Sequence, residues 1–243
     1  TMDTKKPTFR HQRYSEYKAN RKEMPLELQQ QIPIFYDILD RSNINTVKLD
    51  GFEADDILGT IVTRNQNLNL DQYIISGDKD LMQLVNKNTF IYSPGNNFQP
   101  KKIYTEQAVF DKWGVNCNRI IDYLALVGDS SDNIPGVAGV GPKTAIKLLN
   151  QFDTVENIYS SIDSIKNDKL RGKMISNQNN ALLSKELVTL DNNVPIDFSI
   201  DDVVFNSIDF NSMQKGFNEL EIYAFDTVIK KYTHEKPLEN KKI

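Results

Sequence analysis

The chain has almost no cysteine and almost no histidine. Cys117 is its one thiol, and His11 and His234 are its two imidazoles, among 243 residues. A single thiol excludes an internal disulfide and a cysteine zinc site. Two histidines far apart in sequence make no histidine metal site, and neither lies close enough in sequence to activate Cys117. Covalent catalysis through cysteine or histidine therefore has no support, and Cys117 reads as a structural thiol. Also absent is any apolar run long enough to span a membrane. No charged and then apolar leader opens the chain as in a secretory signal. These absences lead us to expect a cytoplasmic protein with no membrane partner. What is present suffices for a core: 39% hydrophobic residues, 26% charged residues and a mean hydropathy of -0.49 fit one large domain or two small ones.

Carboxylates are what the chain does have, and they fall in short clusters. Asp3 stands near the start. Glu53, Asp55 and Asp56 lie in GFEADDILG, Asp78 and Asp80 in ISGDKDL, and Asp129 and Asp132 in VGDSSDN. Apolar stretches precede the later pairs, Tyr73–Ile75 and Leu124–Val127, so the acids sit at the ends of buried elements. Asp and Glu also punctuate ordinary loops, and Asp55 and Asp56 suit the first turn of a helix for its dipole alone. Capping does not call for Glu53 as well, nor for the other clusters. Converging carboxylates repel, and some would take up protons unless cations neutralised them. Hard divalent ions with oxygen ligands, Mg²⁺ or Mn²⁺, suit such a set. A pair of such ions is the usual apparatus of phosphodiester hydrolysis.

Net charge is -4, which alone argues against a nucleic-acid partner. The distribution argues otherwise. Residues 1–22 carry Lys5, Lys6, Arg10, Arg13, Lys18, Arg21 and Lys22 against only Asp3 and Glu16. Phe9, Tyr14 and Tyr17 are interleaved with these bases. The segment is either solvated and poorly ordered, or a surface where cations meet phosphates and rings stack on bases.

Strand and helix patterns alternate through the first half, which predicts an α/β fold with a mainly parallel sheet. Pro25 opens a helix whose apolar face is Leu28, Ile32, Phe35, Ile38 and Leu39. Strands are expected at Thr46–Leu49, Gln72–Ser76 and Thr89–Ser93. Helices are expected from Ala54 to about Asn65, from Asp80, from Thr105 as cap through Trp113, and at Asn118–Val127. A turn is expected at Pro94–Asn97. After Pro135 helical patterns dominate: Ala145–Asn150, Val155–Ser161, Asp168–Ile175, Asn180–Leu190 and Ser212–Lys231. One or two short strands are expected within Val194–Val204.

The segment Pro135–Thr144, PGVAGVGPKT, is the second strong signal. It is not a phosphate-loop motif, because Pro142 separates Gly141 from Lys143-Thr144. It is not a dinucleotide fingerprint either, since the third glycine is missing. Glycines allow backbone N–H groups to approach a phosphate, and Pro142 suits the first turn of a helix whose positive end faces the anion. Lys143 and Lys147 add charge. The same glycines would also serve a plain turn between packed helices. The functional reading is a helix-hairpin-helix element gripping a DNA backbone without reading bases.

FRHQRYSEYKANR, GFEADD, ISGDKDLMQLV and VGDSSDNIPGVAGVGPKTAIKLL together resemble the 5′ nuclease domains of bacterial DNA polymerases I and, more broadly, the flap endonuclease family. The resemblance runs from residue 3 to about residue 225. It implies a central sheet with flanking helices, then a helix–three-turn–helix DNA-binding subdomain. Segments 1–133, 134–205 and 206–243 would be the nuclease core, that subdomain, and a C-terminal helix with a polar tail. It implies a structure-directed 5′-3′ exonuclease and flap endonuclease of replication and repair, acting on a 5′ flap or nicked duplex with two Mg²⁺ or Mn²⁺ ions. Asp3, Glu53 and Asp55 would hold one ion and Asp78, Asp80 and Asp129 the other. Asp56 and Asp132 would act through bound water or behind the ligands. Lys18 and Arg21 would sit on the reacting phosphate, with Arg10, Tyr14 and Tyr17 beside them on DNA. Gly136, Gly139, Gly141, Lys143, Thr144 and Lys147 would grip the duplex, and the Gly136–Gly141 turn would hold K⁺. The family's first strand, with a further aspartate, precedes the position where this chain begins. We therefore expect a monomer, or part of a longer polymerase chain, that binds DNA better than it cuts. A non-cleaving junction binder is the alternative, and a phosphate-loop NTPase is the weaker rival.

Overall fold

The computed structural model describes residues 1–95, 100–203 and 208–234. Helices in chain order are α1 (Phe9–Arg13), α2 (Leu26–Arg41), α3 (Ala54–Asn65), α4 (Glu106–Trp113), α5 (Ile120–Val127), α6 (Pro142–Phe152), α7 (Val155–Ser160), α8 (Asp168–Ser176), α9 (Gln178–Val188), α10 (Phe210–Glu219) and α11 (Ala224–His234). The strands are β1 (Gln72–Ile75), β2 (Thr89–Ser93) and β3 (Lys102–Tyr104). No helix among the described residues is long and apolar enough to cross a membrane.

Two compact units are formed, Thr1–Arg21 with Lys48–Ile196, and Lys22–Val47 with Asp197–Ile243. The segment boundary expected near residue 133 falls inside the first of them.

The sheet of the first unit is small and mixed, where a mainly parallel one was expected. β1 and β2 run parallel, from Gln72 opposite Thr89 to Ile75 opposite Tyr92. β3 returns antiparallel, with Ile91 opposite Tyr104. A parallel pair needs a crossover; here it contains a 3₁₀ turn, Asp80–Leu84, whose Leu81, Met82 and Leu84 are buried. Thr46–Leu49 is not a strand: with no ladder partner among the described residues, its backbone groups form no sheet. Nor is there a strand in the described part of Val194–Val204, which holds a 3₁₀ turn at Ile200–Asp202. Asn96 and Asn97 of the expected turn, Val204 of the expected strand segment, and the expected tail after His234 lie outside the described residues.

α5 is apolar on nearly every side and runs through the core, where Leu124, Ala125 and Leu126 are buried. It packs against α9, which contributes Ala181, Leu187 and Val188. Its one acid, Asp122, is buried but satisfied. It accepts from Val155 N at 2.9 Å, closing the start of α7, and from Lys185 Nζ at 2.7 Å. Thr105 caps α4 through Ala108 N at 3.2 Å, as its position implies.

The second unit gathers Ile38 of α2, Met213 of α10 and Ile229 of α11 into a small core. Gly216 on α10 admits Ile38 closely; a Cβ there would meet Ile38 Cγ1 at 2.8 Å. The rest of the expected apolar face of α2 is not all buried. Leu28 and Phe35 remain 47% and 44% exposed, because the packing of this small unit closes only over Ile38. The helix expected over Ser212–Lys231 is two helices, broken at Leu220–Tyr223, where Glu221 has φ 60°.

The glycine segment docks on the end of α5. Gly128 and Gly136 both have positive φ, 77° and 61°, and their backbones touch. A Cβ on Gly136 would lie 2.5 Å from Gly128 N and 2.7 Å from Val127 C. Val137 N donates to Leu126 O at 2.8 Å, and Gly136 N donates to the buried Ser184 hydroxyl at 2.9 Å. Gly141 sits in open space at the start of α6. We therefore expect Gly136→Ala to destabilise the chain by roughly 1–2 kcal/mol from the left-handed backbone alone, and by more from the overlap with Gly128. Gly141→Ala should leave stability nearly unchanged. Urea unfolding of the two variants checks this, and equal losses would refute the packing role of Gly136.

Candidate metal and nucleic-acid site

Each acidic cluster is delivered by the end of an element. The C-terminus of β1 leads into Ser76-Gly77-Asp78, where Asp78 N donates to Ser76 Oγ at 3.0 Å and Asp80 N to Asp78 Oδ1 at 2.9 Å. Sites in α/β proteins lie at such strand ends. α5 delivers Asp129, whose backbone pairs both ways with Ile134 at 2.7 and 2.9 Å, closing the VGDSSDN loop. Ser131 donates to Asp129 Oδ1 from its N–H at 2.9 Å and its hydroxyl at 2.6 Å. α3 begins at Ala54, whose N–H donates to Asp3 Oδ1 at 2.7 Å.

The structure brings Asp80, Asp129 and Asp132 together, with one oxygen of each within 4.8 Å of the others. Asp80 is pushed up to about 8, first by burial and then by Asp78 and Asp129. Asp55 is pushed up to about 7, by burial, then by Asp78, Asp3 and Glu53. Asp78 thus bears on both, and the clusters form one continuous acidic field. Asp80 Oδ1 is buried and has no hydrogen-bond partner. A buried carboxylate oxygen without a donor is costly, and an oxygen-seeking cation is the natural way to satisfy it. The donors of the field are oxygens only, so the residues present fit Mg²⁺ or Mn²⁺.

Besides the buried Arg10, three side-chain cations among the described residues enter this field. Lys18 Nζ lies 2.9 Å from Glu53 Oε1 and 3.8 Å from Asp132 Oδ2. Arg21 pairs with Asp132 Oδ1. Lys79 Nζ lies 2.6 Å from Asp129 Oδ1. Against the cost of burial, Lys79 and Ser131 hold Asp129 below the usual carboxylate range. Lys79 was not among the residues expected from sequence. Its place between the two acids of ISGDKDL was the signal available.

The basic segment is ordered by the same loop. Lys18 N donates to Asp132 O at 2.9 Å, Asn20 Nδ2 to Ser130 O at 2.6 Å and Asn133 Nδ2 to Glu16 O at 2.7 Å. Lys18 adopts φ 56°, a strained left-handed backbone for a lysine, and the bond to Asp132 helps hold it.

Three expected roles change and a fourth is narrowed. Arg10, expected on DNA, is 2% exposed and its guanidinium is taken up inside the protein. Asp56, expected to act through bound water or behind the ligands, is fully buried and bidentate to Arg10 at 2.8 Å, which leaves only the second of those places. Tyr17, expected to stack on a base, is 4% exposed and donates to Glu53 Oε2 at 3.1 Å. Gly136, expected at a phosphate, is buried with its N–H donated to Ser184. In each case the competing demand was an internal partner far away in sequence. Tyr14 is half-buried against the core. Gly139, Gly141, Lys143 and Lys147 are exposed and Thr144 is partly exposed, open to an approaching backbone.

Comparisons with known proteins agree with this geometry. Residues 1–114 match the model of a 5′-3′ exonuclease N-terminal resolvase-like domain, and residues 115–211 match a 5′-3′ exonuclease C-terminal SAM fold. The chain is 39% identical over 224 residues to DNA polymerase I of Bacillus caldotenax, covering 92% of this chain and 26% of that protein. It is 40% identical over 223 residues to DNA polymerase I of Bacillus subtilis, covering 92% and 24%. The chain thus spans about a quarter of the length of these curated relatives. Among solved structures, T5 D15 protein co-crystallised with metal ions shares the fold with a TM-score of 0.66 at 23% identity, over 90% of this chain and 83% of that one. The catalytic core of Rad2 with DNA substrate shares it with a TM-score of 0.56 at 15% identity, over 85% and 71%. With both domains matched in order, and with the acidic field at the strand and helix ends, this chain belongs to the 5′-3′ exonuclease family.

Proposed function

We propose that the chain hydrolyses phosphodiester bonds near the 5′ end of a displaced DNA strand, using two Mg²⁺ or Mn²⁺ ions. The observation that carries this reading is Asp80 Oδ1, buried without a partner beside Asp129 and Asp132. Asp78, Asp80 and Asp129 would hold one ion, with Asp132 beside them, and Asp3, Glu53 and Asp55 the other. Bound ions of this kind lower the pKa of water and neutralise charge on a phosphate.

The chain's own groups do the rest. Lys18 and Arg21, now paired with Glu53 and Asp132, are free to turn to a phosphate once ions neutralise those acids. There they offset the charge that builds as water adds to phosphorus and the 3′ oxygen leaves. Gly139, Gly141, Lys143, Thr144 and Lys147 would hold the duplex backbone, with α6 pointing its positive end at a phosphate. A K⁺ at the Gly136–Gly141 turn belongs to the same reading. Lys173 Nζ, 3.3 Å from Gly139 O, would have to give way to that ion.

Two measurements test the reading. With Asp55 and Asp80 raised to about 7 and about 8, the folded metal-free chain keeps protons that the unfolded chain releases near pH 4. Their contribution to stability is full below the unfolded pKa and is lost as pH rises through 7 and 8. The melting temperature of the metal-free chain should therefore fall from pH 5 to pH 8, and Mn²⁺ at pH 8 should restore it. A flat profile with no effect of Mn²⁺ would remove the metal site.

The second is cleavage of a 5′-flap duplex under single turnover with Mg²⁺. We expect Lys18→Ala or Arg21→Ala to slow it roughly 100-fold, with duplex affinity little changed. Binding of the flap by the unaltered chain with no product at any metal concentration would favour the non-cleaving junction binder. A loss confined to affinity would move Lys18 and Arg21 from the reaction to the grip.

A further inference from the structure

We infer that Arg10 and Asp56 form a buried positioning pair that sets the Glu53 carboxylate and the Lys18 segment against each other. This inference rests on the metal-dependent reading above. Neither residue reaches solvent, so neither can touch a substrate.

Every acceptor position of the pair is in use. Asp56 Oδ2 accepts from Arg10 Nη1 at 2.8 Å and from Glu53 N at 3.1 Å. Asp56 Oδ1 accepts from Arg10 Nη2 at 2.8 Å and from Asp191 N at 2.9 Å. Although burial opposes its charge, Arg10 and these backbone donors hold the Asp56 carboxyl below the usual range. Arg10 Nε donates to Leu187 O at 2.7 Å and Nη2 to Thr189 O at 3.0 Å, so the guanidinium also spans the end of α9. Its Nη1 lies 3.6 Å from Glu53 Oε2.

The pair therefore meets the site from two directions. Through the Glu53 N–H it fixes the residue just before α3, whose carboxylate accepts from Tyr17 and Lys18. Through α1 it fixes the chain that leads to those donors. Arg10 O accepts from Tyr14 N at 2.9 Å, and Tyr14 O accepts from Tyr17 N at 3.0 Å. A bidentate guanidinium–carboxylate pair has one geometry, which an ammonium or an amide cannot copy. Outer partners of this kind tune ligand carboxylates they never share with an ion.

A pair that only stabilised the fold would be replaceable by apolar groups, since buried ion pairs often exchange for well-packed hydrophobes at no loss. The test uses that difference. Arg10→Met combined with Asp56→Leu, and separately Arg10→Lys, are compared with the unaltered chain by melting temperature, by Mn²⁺ titration without DNA, by flap-DNA affinity in EDTA and by single-turnover cleavage. We expect the double variant to melt lower but to stay folded, because Glu53 N, Asp191 N, Leu187 O and Thr189 O lose their side-chain partners; the other readouts are taken well below its melting temperature. It should bind Mn²⁺ roughly 10-fold more weakly and cut roughly 100-fold more slowly, with flap affinity unchanged. Arg10→Lys should fold and show the same split to a lesser degree, and it carries the test if the double variant does not fold. Unaltered Mn²⁺ affinity and cleavage in either folded variant would overturn the inference. A loss confined to flap affinity would do the same and return Arg10 to the DNA surface. If the unaltered chain itself neither binds Mn²⁺ nor cuts, the failure belongs to the metal-dependent reading.

Discussion

Mutual repulsion among the carboxylates is the constraint on which the rest of this structure depends. Asp80, Asp129 and Asp132 converge within a few ångströms, and Asp78 links them to Asp55. No such field forms from flexible loops, because like charges left free would swing apart. Each acid is instead fixed at the end of a packed element: β1, α3 and α5. Lys18, Arg21 and Lys79 offset part of the charge. The remainder appears as two carboxyls that keep their protons to near neutrality. That is the physical signature of a place prepared for a stronger cation.

The basic segment and the acidic loop hold each other in place. Backbone and asparagine bonds tie Lys18, Asn20 and Glu16 to residues 130–133. The cations are therefore not loosely tethered counterions but parts of the same framework. The left-handed backbone at Lys18 fits this view, since strain persists only where the surroundings over-determine a residue. Polar residues that look like surface chemistry, such as Arg10 and Asp56, turn out to be internal struts.

Much of this was legible in the sequence, for identifiable reasons. α3 is found where its apolar spacing and acidic first turn place it, and β2 spans the residues its pattern marks. Asp80, Asp129 and Asp132 converge because the later acidic pairs follow apolar elements, a rule that local pattern can express. Thr46–Leu49 misled because β-prone residues form no strand without a neighbour to pair with. β3 was missed because it is three residues at a sheet edge. Arg10 could not be read correctly from local pattern, since an arginine among bases looks solvated until Asp56 and the end of α9 are in place around it. Tyr17 was misjudged for the same reason, its hydroxyl being claimed by Glu53. Lys79 stands between Asp78 and Asp80, but nothing local marks its partner Asp129, which is distant in sequence.

The contact of Gly128 with Gly136 has a geometric consequence. It joins the loop carrying Asp129 and Asp132 to the exposed glycines and lysines at the start of α6, with only a short, backbone-bonded link between them. The two surfaces cannot drift apart independently. If one grips a phosphate and the other receives a second, the spacing between them is a length built into the polypeptide.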